Sequence, residues 1–538
     1  MTTSIQVRSA LVETIELDLV GPRNDHAFAH ELLTVAEGYH SVRTTWIPSA
    51  EVPRVDHADQ ETIGEVELGM EKLGELVDML DARTCLNGVV ATYRAWISVQ
   101  EAALASSGFS PKQKATAGDL IIGAKVAATR IEEGIQSLSD PQCLEAFRIA
   151  NRAMARAARQ RFAVQQGKAP ADVDAPRWRA FQLAFILMNL NGLFDPRHSD
   201  RRIVDLLFFP TGGGKTVAYL GLSAFTVVLR RLQNPGIGAA GVSIIMRYTL
   251  RLLTLDQLGR AAALMCALEL ERAHNKALGD WPFEIGLWVG SAATPNRMGK
   301  ANDYSPGKDD TAYAKLTKFK NNPRKHPAPI PMEECPWCGT RFDSDSFFLE
   351  PAGAQEPRDL RVACVNERCE FSAANNDSRL PILGVDEPIY RRLPCFLIAT
   401  VDKFAALPWM GRTGALFGNV DRFDTHGFYG PCDTGKGSSL PDGKLLPPDL
   451  IIQDELHLIS GPLGTVAGIY ETAIEELCKR DLGDGLTRLP KIVASTATVR
   501  SADRQIRALF GREQTAIFPA TRTRSQRLVF RTHDSIDQ

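Results

Sequence analysis

From about residue 200 onward, short apolar runs alternate with longer segments of helical periodicity. The apolar runs are RIVDLLFFP, GVSIIMRY, FEIGLWVG, LPCFLIATVDKF, DLIIQDE and KIVASTAT. Between several of them lie segments such as TVAYLGLSAFTVVLRRL and DQLGRAAALMCALELERAH, which are typical of helices. Strands that are apolar on both faces and alternate with helices indicate a parallel sheet covered by helices. We therefore predict an α/β fold class for this part of the chain.

The first 200 residues have a different pattern, with long Ala-, Glu- and Arg-rich stretches such as ETIGEVELGMEKLGELVDML and LEAFRIANRAMARAARQRFAV. This periodicity predicts a mainly α-helical N-terminal domain, and the Pro- and charge-rich segment GKAPADVDAPRWR marks its end. A polar, cysteine-containing insertion and a glycine-rich segment, predicted to be a long loop, interrupt the later alternation. The predicted organisation is a helical domain at 1–170, an α/β lobe at 171–518 with the insertion at 295–390 and the loop at 411–448, and an irregular tail at 519–538.

Composition and charge set broad limits on function. A chain of 538 residues is too long for one ordinary core, so about two to four structural units are expected. A formal net charge of −2 gives no overall basic signal, so any nucleic-acid surface must be local. No run reaches the roughly 18 apolar residues of a membrane helix, and the N-terminus lacks the apolar core of a secretory signal. Mostly scattered cysteines fit a reducing compartment, so we expect a cytoplasmic protein without membrane contact.

The segment PTGGGKT, residues 210–216, lies between a predicted strand and a predicted helix. Three consecutive glycines allow the backbone to wrap closely around phosphates, with N–H groups pointing inward. They are Gly212, Gly213 and Gly214. Lys215 can reach the β- and γ-phosphates of ATP, and the Thr216 hydroxyl can bind Mg²⁺. Phe209 occupies the position at which the usual motif has its first glycine.

A pair of carboxylates follows another predicted strand. The apolar run LIIQ ends at Asp454 and Glu455, so both side chains are expected at the carboxyl edge of the sheet. Ligands of open α/β sheets bind at that edge. We expect Asp454 to hold Mg²⁺, directly or through water, and Glu455 to orient and deprotonate an attacking water.

Four of the cysteines form two closely spaced pairs, C-x₂-C and C-x₄-C, separated by 25 residues. They are Cys335, Cys338, Cys364 and Cys369. Four thiolates in two turns suit tetrahedral Zn²⁺ in a closed structural site, so we predict a zinc ribbon in the insertion. The alternative is a set of unligated surface cysteines.

Two basic features leave alternatives open. Arg148, Arg152, Arg156 and Arg159 share one face of a predicted helix. The segment KLTKFKNNPRKHP lies next to the cysteine pairs. Each could contact a phosphate backbone or, for the arginine stripe, a protein partner; the alternative for each is a solvated face, which is the commoner role of a charge run.

The loop PTGGGKT, which lacks the first glycine, resembles the phosphate loop of superfamily 2 helicases and translocases. The sequence DELH resembles their DExH box, with His457 in the coupling position. Thr496-Ala497-Thr498 resembles the Ser-Ala-Thr motif that couples ATP state to a second lobe, although its first residue differs. This resemblance implies that Thr211 belongs to the phosphate loop and that Gln182, about thirty residues earlier, contacts adenine.

Two further segments resemble the superfamily motifs that contact the nucleic-acid strand. IIMRYTLRLLTLDQ supplies Arg247 and Gln257 as candidate contacts, and Thr400 to Lys403 resembles the next such motif. Ordinary core or loop positions remain the alternative for both segments.

In combination, the DLVGP opening, PTGGGKT, the cysteine insertion, QDELHLISGPLG and ASTATVR resemble the DrmA family, the helicase subunits of the DISARM anti-phage system. The resemblance extends to about residue 518. It implies a RecA-like ATP-binding lobe with an inserted zinc ribbon, which uses ATP, Mg²⁺ and structural Zn²⁺. It also implies a bacterial ATPase that acts on DNA together with a DrmB-like partner subunit.

One departure concerns the second RecA-like lobe of a superfamily 2 motor, which carries the arginines that reach the γ-phosphate. Only forty residues, 499–538, follow Thr498, whereas such a lobe has about 150. We therefore expect a fragment or split gene product whose second lobe lies on a longer chain or is supplied in trans. Alone, it should hydrolyse ATP weakly or not at all.

Two hypotheses follow. The first is the ATP-binding lobe of a DNA helicase or translocase in anti-phage defence. The second is a non-motor module that uses ATP to gate its binding to DNA or to a partner. An RNA helicase is a variant of the first, because nothing in the sequence separates the two nucleic acids.

Overall fold

A computed structural model describes residues 4–8, 14–18, 55–56, 66–209, 214–248, 255–291, 293–301, 310–374, 379–459, 461–496, 502–519 and 532–533. The chain divides into two compact units, one of Met1–Val55 with His533–Gln538 and one of Asp56–Thr532. Within the described parts, no helix combines the length and the apolar character that crossing a bilayer requires.

Several α-helices of the described residues have clear start or stop signals in the sequence. The α-helices are α1 Met70–Leu73, α2 Met79–Ala105, α3 Pro111–Ser137, α4 Pro141–Gln166, α5 Ala180–Phe194, α6 Lys215–Gln233, α7 Leu255–His274, α8 Ala312–Asn321, α9 Asp386–Arg392, α10 Gly461–Cys478 and α11 Ala502–Phe510. Ser110 forms a capping box with Gln113 at the start of α3, and Asp140 caps α4. Gly167 ends α4 in the left-handed conformation that favours glycine.

The β-strands are mostly short. They are β1 Ser4–Arg8, β2 Thr14–Asp18, β3 Val55–Asp56, β4 Ile203–Phe208, β5 Ile244–Tyr248, β6 Ile285–Trp288, β7 Phe347–Glu350, β8 Asp359–Val362, β9 Ile382–Leu383, β10 Phe396–Thr400, β11 Arg422–Asp424, β12 Gly427–Tyr429, β13 Ser438–Ser439, β14 Leu450–Gln453, β15 Arg480–Asp481, β16 Thr487–Arg488, β17 Lys491–Thr496, β18 Gln514–Phe518 and β19 Thr532–His533.

The central feature is an eight-stranded parallel sheet in the order β18-β4-β17-β14-β5-β10-β6-β9. Val493 of β17 pairs with Asp205 of β4 on one side and with Ile452 of β14 on the other. Because the strands are parallel, their carboxyl ends all lie at one edge. The ends of β4, β17 and β14 are therefore neighbours, and this is where α/β sheets bind ligands.

The mixed α/β class, the parallel sheet and the helical part that precedes it are confirmed. All six apolar runs are strands of this sheet, and the two segments predicted between them are α6 and α7. The edge strands β9 and β18 were not predicted. Near the N-terminus, β1 and β2 pair antiparallel where helices were expected, because SIQVR and TIELD alternate in polarity.

The helices before the sheet share a core with the helices that cover it. Phe147 of α4, Phe185 of α5 and Leu222 of α6 belong to one continuous buried cluster. A buried ion network joins the helical part to the sheet itself: Arg130 of α3 donates to both oxygens of Asp205 of β4 at 2.6 and 2.8 Å, and Lys491 of β17 lies 2.5 Å from the same carboxylate. Burial alone would raise the pKa of Asp205, but the charges and hydrogen bonds of Arg130 and Lys491 hold it below its ordinary value.

The two interrupting segments have their own structure. In the cysteine-containing insertion, β7 and β8 form an antiparallel pair. Residues 411–448 form a 3₁₀-helix at Gly411–Phe417 and a small antiparallel sheet, β12-β11-β13, in place of the long loop that the composition predicts. Gly437 has a φ of 71°, and a Cβ there would lie 2.8 Å from the Phe423 carbonyl oxygen, so part of the glycine content serves tight packing.

Candidate functional site

The predicted phosphate-binding segment connects β4 to α6, and its described residues, Gly214 to Thr216, lie at the carboxyl edge of the sheet. Thr211, Gly212 and Gly213 lie outside the described residues. Lys215 is buried at the start of α6, and its Nζ donates a 2.7 Å hydrogen bond to the Phe209 carbonyl oxygen. The Phe209 ring stacks on Phe181, with ring centroids 3.9 Å apart. Phe209, which stands where the usual motif has its first glycine, therefore packs into the core through its side chain. Its backbone carbonyl oxygen contacts Lys215.

Gln182 of α5 contacts the end of this segment. Its Nε2 donates to the Gly214 carbonyl oxygen at 2.9 Å, and its Oε1 accepts from the Arg179 backbone N–H at 2.9 Å. Gly214 has a φ of 87°, and a Cβ at this position would lie 2.8 Å from Gln182 Nε2. The left-handed backbone favours glycine here. Contact of Gln182 with adenine stays a prediction.

Asp454 follows β14 and is buried among hydrogen-bond donors. Its Oδ1 accepts from the Ser495 hydroxyl, at the end of β17, and from the Glu455 backbone N–H at 3.0 Å. Its Oδ2 accepts from the Tyr219 hydroxyl at 2.7 Å and from Gln257 Nε2 at 3.4 Å. Donors from three neighbouring elements thus fix the carboxylate in one orientation.

Tyr219 links this carboxylate to the phosphate-binding segment. Its hydroxyl lies 3.1 Å from Thr216 Oγ1 as well as 2.7 Å from Asp454 Oδ2. Burial raises the pKa of Tyr219 well above its ordinary value, so the phenol keeps its proton. Sequence reasoning missed Tyr219 and Ser495, because both occupy positions that look like core. Tyr219 could have been identified from its position four residues after Lys215. Ser495 could have been identified from its position in the strand next to the acid pair.

Glu455 and His457 lie just beyond Asp454. Glu455 has a φ of 46°, an uncommon backbone conformation for a residue other than glycine and one often found at functional sites. His457 Nδ1 lies 3.3 Å from Glu455 Oε2 and 3.3 Å from Thr496 Oγ1. The histidine therefore connects the acid pair to the last residue of β17. Ala497 and Thr498 lie outside the described residues.

These groups suit a magnesium–nucleotide complex. A hydroxyl and a carboxylate are the hard oxygen ligands that Mg²⁺ prefers, and Thr216 and Asp454 are joined through one tyrosine hydroxyl. Lys215 lies at the N-terminus of a 19-residue helix, where the helix dipole favours anions. The arrangement could thus hold phosphates and a cation side by side, with Glu455 next to them.

The four paired cysteines come together in the insertion, with all Sγ atoms within 4.8 Å of one another. Sulfur ligands of tetrahedral Zn²⁺, at about 2.3 Å from the metal, lie about 3.8 Å apart, so the cluster matches such a site. Gly339, with a φ of 71°, allows the turn after Cys338, and its N–H donates to the Cys335 carbonyl oxygen at 2.9 Å. Hydrogen bonds from Cys335 and Cys369 lower the pKa of the Cys338 thiol, which favours the thiolate.

A curated DISARM protein DrmA from Bacillus paralicheniformis is 36% identical to this chain over 526 residues. The match covers 92% of the chain and 45% of the relative. The chain belongs to the DrmA family. It spans slightly less than half the length of that DrmA protein.

Two other comparisons add little to the DrmA assignment. No protein-family model matches the chain. The crystal structure of the DUF1998 helicase MrfA matches with 13% sequence identity and a TM-score of 0.28, over 67% of this chain and 32% of that chain. A similarity of this size carries no argument about fold or activity.

One predicted nucleic-acid contact of this DrmA-family chain is wrong in the present structure. Arg247 is buried and forms an ion pair with Glu471, and burial lowers the pKa of Arg247 to about 9. It does not face solvent, because it packs at the interface of β5, α10 and α11.

The other two candidate contacts also have partners within the protein. Gln257 faces Asp454, and Lys403 donates to Asp386 at 2.6 Å.

The arginine stripe joins parts of the DrmA-family chain to one another. Arg152 bonds to Glu271 of α7, Arg156 to Glu370 beside the cysteine cluster, and Arg159 to Glu71 of α1. These ion pairs favour an internal structural role for the stripe over a nucleic-acid contact. The Arg156 guanidinium also lies over the Trp337 ring, 5.4 Å from its centroid.

Proposed function

We propose that the chain is the ATP-binding, first RecA-like lobe of a superfamily 2 DNA helicase or translocase in DISARM anti-phage defence. One observation carries the proposal. Lys215 and Thr216 at the start of α6 and Asp454 after β14 meet at one edge of a parallel sheet, with Tyr219 in contact with both Thr216 and Asp454. Membership of the DrmA family supports the assignment to DISARM.

In this proposal each residue has a stated role. Lys215 and the backbone N–H groups of the glycine segment bind the phosphates of ATP, and Gln182 contacts its adenine. Thr216 and Asp454 hold Mg²⁺, which neutralises charge on the phosphates when bound.

Glu455 and His457 would take part in ATP hydrolysis. Glu455 orients the attacking water and accepts its proton. His457, between Glu455 and Thr496, transmits the state of the site to the end of β17.

We further propose the division of the chain into a helical domain at 1–170, the ATP-binding lobe at 171–518 and a tail at 519–538. The insertion at 295–390 would hold structural Zn²⁺ on its four cysteines, which leave no coordination position for catalysis.

The partners of this lobe are DNA, a DrmB-like subunit and a second RecA-like lobe. The second lobe lies on a longer chain or is supplied in trans, and the assembly acts in the cytoplasm. The 45% share of the DrmA relative that the chain covers leaves ample length for that lobe in a full-length protein.

The experiment is a nucleotide-binding and ATPase assay of the chain alone and of the chain assembled with the remainder of the longer protein and its partner subunit. We expect ATP binding by the chain alone and nucleic-acid-stimulated turnover only by the assembly. Undiminished turnover in both Lys215→Ala and Glu455→Gln would overturn the proposal.

The same assay separates the alternatives. ATP binding without turnover, with DNA and every partner present, would favour a non-motor module gated by ATP. Stimulation by RNA rather than by single-stranded or duplex DNA would favour an RNA helicase.

A further inference from the structure

Tyr219 is a buried polar side chain with no role in the usual phosphate-loop and acid-box motifs. It lies on α6, one helical turn after Lys215, and none of its surface is exposed. A tyrosine hydroxyl at such a position needs partners, because an unsatisfied buried donor is costly. Among its partners are the two side chains to which the proposed function assigns the metal.

Each hydrogen bond of the Tyr219 hydroxyl has a definite donor and acceptor. A phenol has one proton, and a carboxylate is the stronger acceptor, so Tyr219 donates to Asp454 Oδ2 at 2.7 Å. The contact with Thr216 Oγ1 at 3.1 Å then uses the threonine hydroxyl proton and a lone pair of the tyrosine oxygen. The result is a chain of three oxygen atoms from Thr216 through Tyr219 to Asp454.

The other contacts of Asp454 do not reach Thr216. Ser495 and the Glu455 N–H bind Oδ1, on the far side of the carboxylate, and Gln257 approaches Oδ2 at a longer distance of 3.4 Å. Tyr219 therefore sets the spacing between α6 and the end of β14 at the point where a cation would be shared.

We propose that Tyr219 is a positioning residue for the divalent cation: its hydroxyl holds the Thr216 hydroxyl and the Asp454 carboxylate together before the metal–nucleotide complex binds. The inference rests on the proposed function and adds to it a residue that acts through the Thr216 and Asp454 side chains. Pre-organised ligands lose less conformational freedom on binding, so the effect should fall on the affinity for Mg²⁺ and not on that for the nucleotide alone.

The test uses Tyr219→Phe, which removes one oxygen and keeps the ring in the core. Binding of a fluorescent ATP analogue is measured as Mg²⁺ is titrated, and again in excess chelator. We expect the half-saturating Mg²⁺ concentration to rise by about tenfold, the effect of losing one hydrogen bond to a charged group. Binding in chelator should match the wild type.

The control is Tyr390→Phe, which also removes a buried, hydrogen-bonded hydroxyl, one that accepts from Trp288 Nε1 at 2.9 Å. It should leave the Mg²⁺ midpoint unchanged. In an Asp454→Asn background, Tyr219→Phe should no longer shift the midpoint, because the partner carboxylate is gone.

The outcomes separate this inference from the proposed function. An unchanged Mg²⁺ midpoint in Tyr219→Phe, beside a wild type that binds nucleotide, would overturn the positioning role alone. Failure of the wild type to bind the analogue under either condition would overturn both. A lower melting temperature without a midpoint shift would assign Tyr219 to stability only.

Discussion

The side-chain amine of Lys215 donates a 2.7 Å hydrogen bond to the backbone carbonyl oxygen of Phe209. In this position the Lys215 ammonium group is held by a neutral acceptor. Phosphate oxygens are charged acceptors and form stronger bonds with the same donor. We therefore predict that Lys215→Ala weakens ATP binding by about 30- to 100-fold, as measured by equilibrium titration with a fluorescent analogue.

The matched control for this substitution is Lys444→Ala, which removes an exposed lysine outside the site. Its affinity for ATP should equal that of the wild type. Equal affinities in both variants would contradict the assignment of Lys215.

The Phe209 side chain leads to a prediction about stability. It is buried and stacks on Phe181, so restoring the glycine of the usual motif should empty a core position. We predict that Phe209→Gly lowers the free energy of unfolding by about 3–5 kcal/mol, measured by urea denaturation. Phe209→Leu, which keeps most of the volume, should lose less. A glycine variant as stable as the wild type would show that the stacking contributes nothing.

Much of the fold could be predicted because the parallel strands are apolar on both faces. All six apolar runs, from β4 to β17, have this pattern and form the middle of the sheet. The edge strand β9 has two residues, and β18 is the mixed segment QTAIF, so neither has enough apolar length to be predicted. The order of the strands depends on the packing of the connecting helices, which local patterns do not encode.

The site was predictable only where its chemistry needs a fixed spacing. Lys215, Thr216 and Asp454 belong to short motifs, and the structure brings them to one edge. Tyr219 has no such motif, because its partner is 235 positions away. Arg247 was a candidate nucleic-acid contact because its segment resembles a strand-contacting motif, yet its side chain turns inward to Glu471.

Glu455 should affect turnover more than binding. Its backbone is in the left-handed region and its carboxylate lies 3.3 Å from His457, next to Asp454, one of the proposed metal ligands, but not among them. Glu455→Gln keeps the shape and removes the base. In the assembled protein we predict a fall in ATP hydrolysis of about 10²- to 10⁴-fold with ATP affinity retained, from steady-state and binding assays. An equal loss in affinity would assign Glu455 to binding instead.

The cysteine cluster makes a prediction about metal content. Purified protein should contain about one zinc per chain by elemental analysis, and the double substitution Cys335→Ser with Cys338→Ser should remove it. Because structural zinc contributes folding energy, the variant should also melt at a lower temperature. Cys432→Ser, at an exposed cysteine outside the cluster, is the control and should keep the metal. Zinc-free wild-type protein would refute the ribbon.

The buried network at Asp205 should contribute measurably to stability. Removing the charge in Asp205→Asn leaves Arg130 and Lys491 buried without their shared carboxylate, so we predict a loss of about 3–5 kcal/mol by urea denaturation. The control is Glu132→Gln in the exposed pair of Arg94 and Glu132, at 2.6 Å, which should lose less than about 1 kcal/mol.

The same carboxylate gives this prediction a pH dependence. Because the pKa of Asp205 is lower in the folded protein than its ordinary value, its ionised form stabilises the fold at all pH values above the ordinary pKa. That contribution is lost as pH falls through the lower, folded pKa, since both states are then protonated. The stability difference between wild type and Asp205→Asn should therefore shrink in strong acid. A difference independent of pH would indicate that shape and hydrogen bonding, and not charge, account for the role of Asp205.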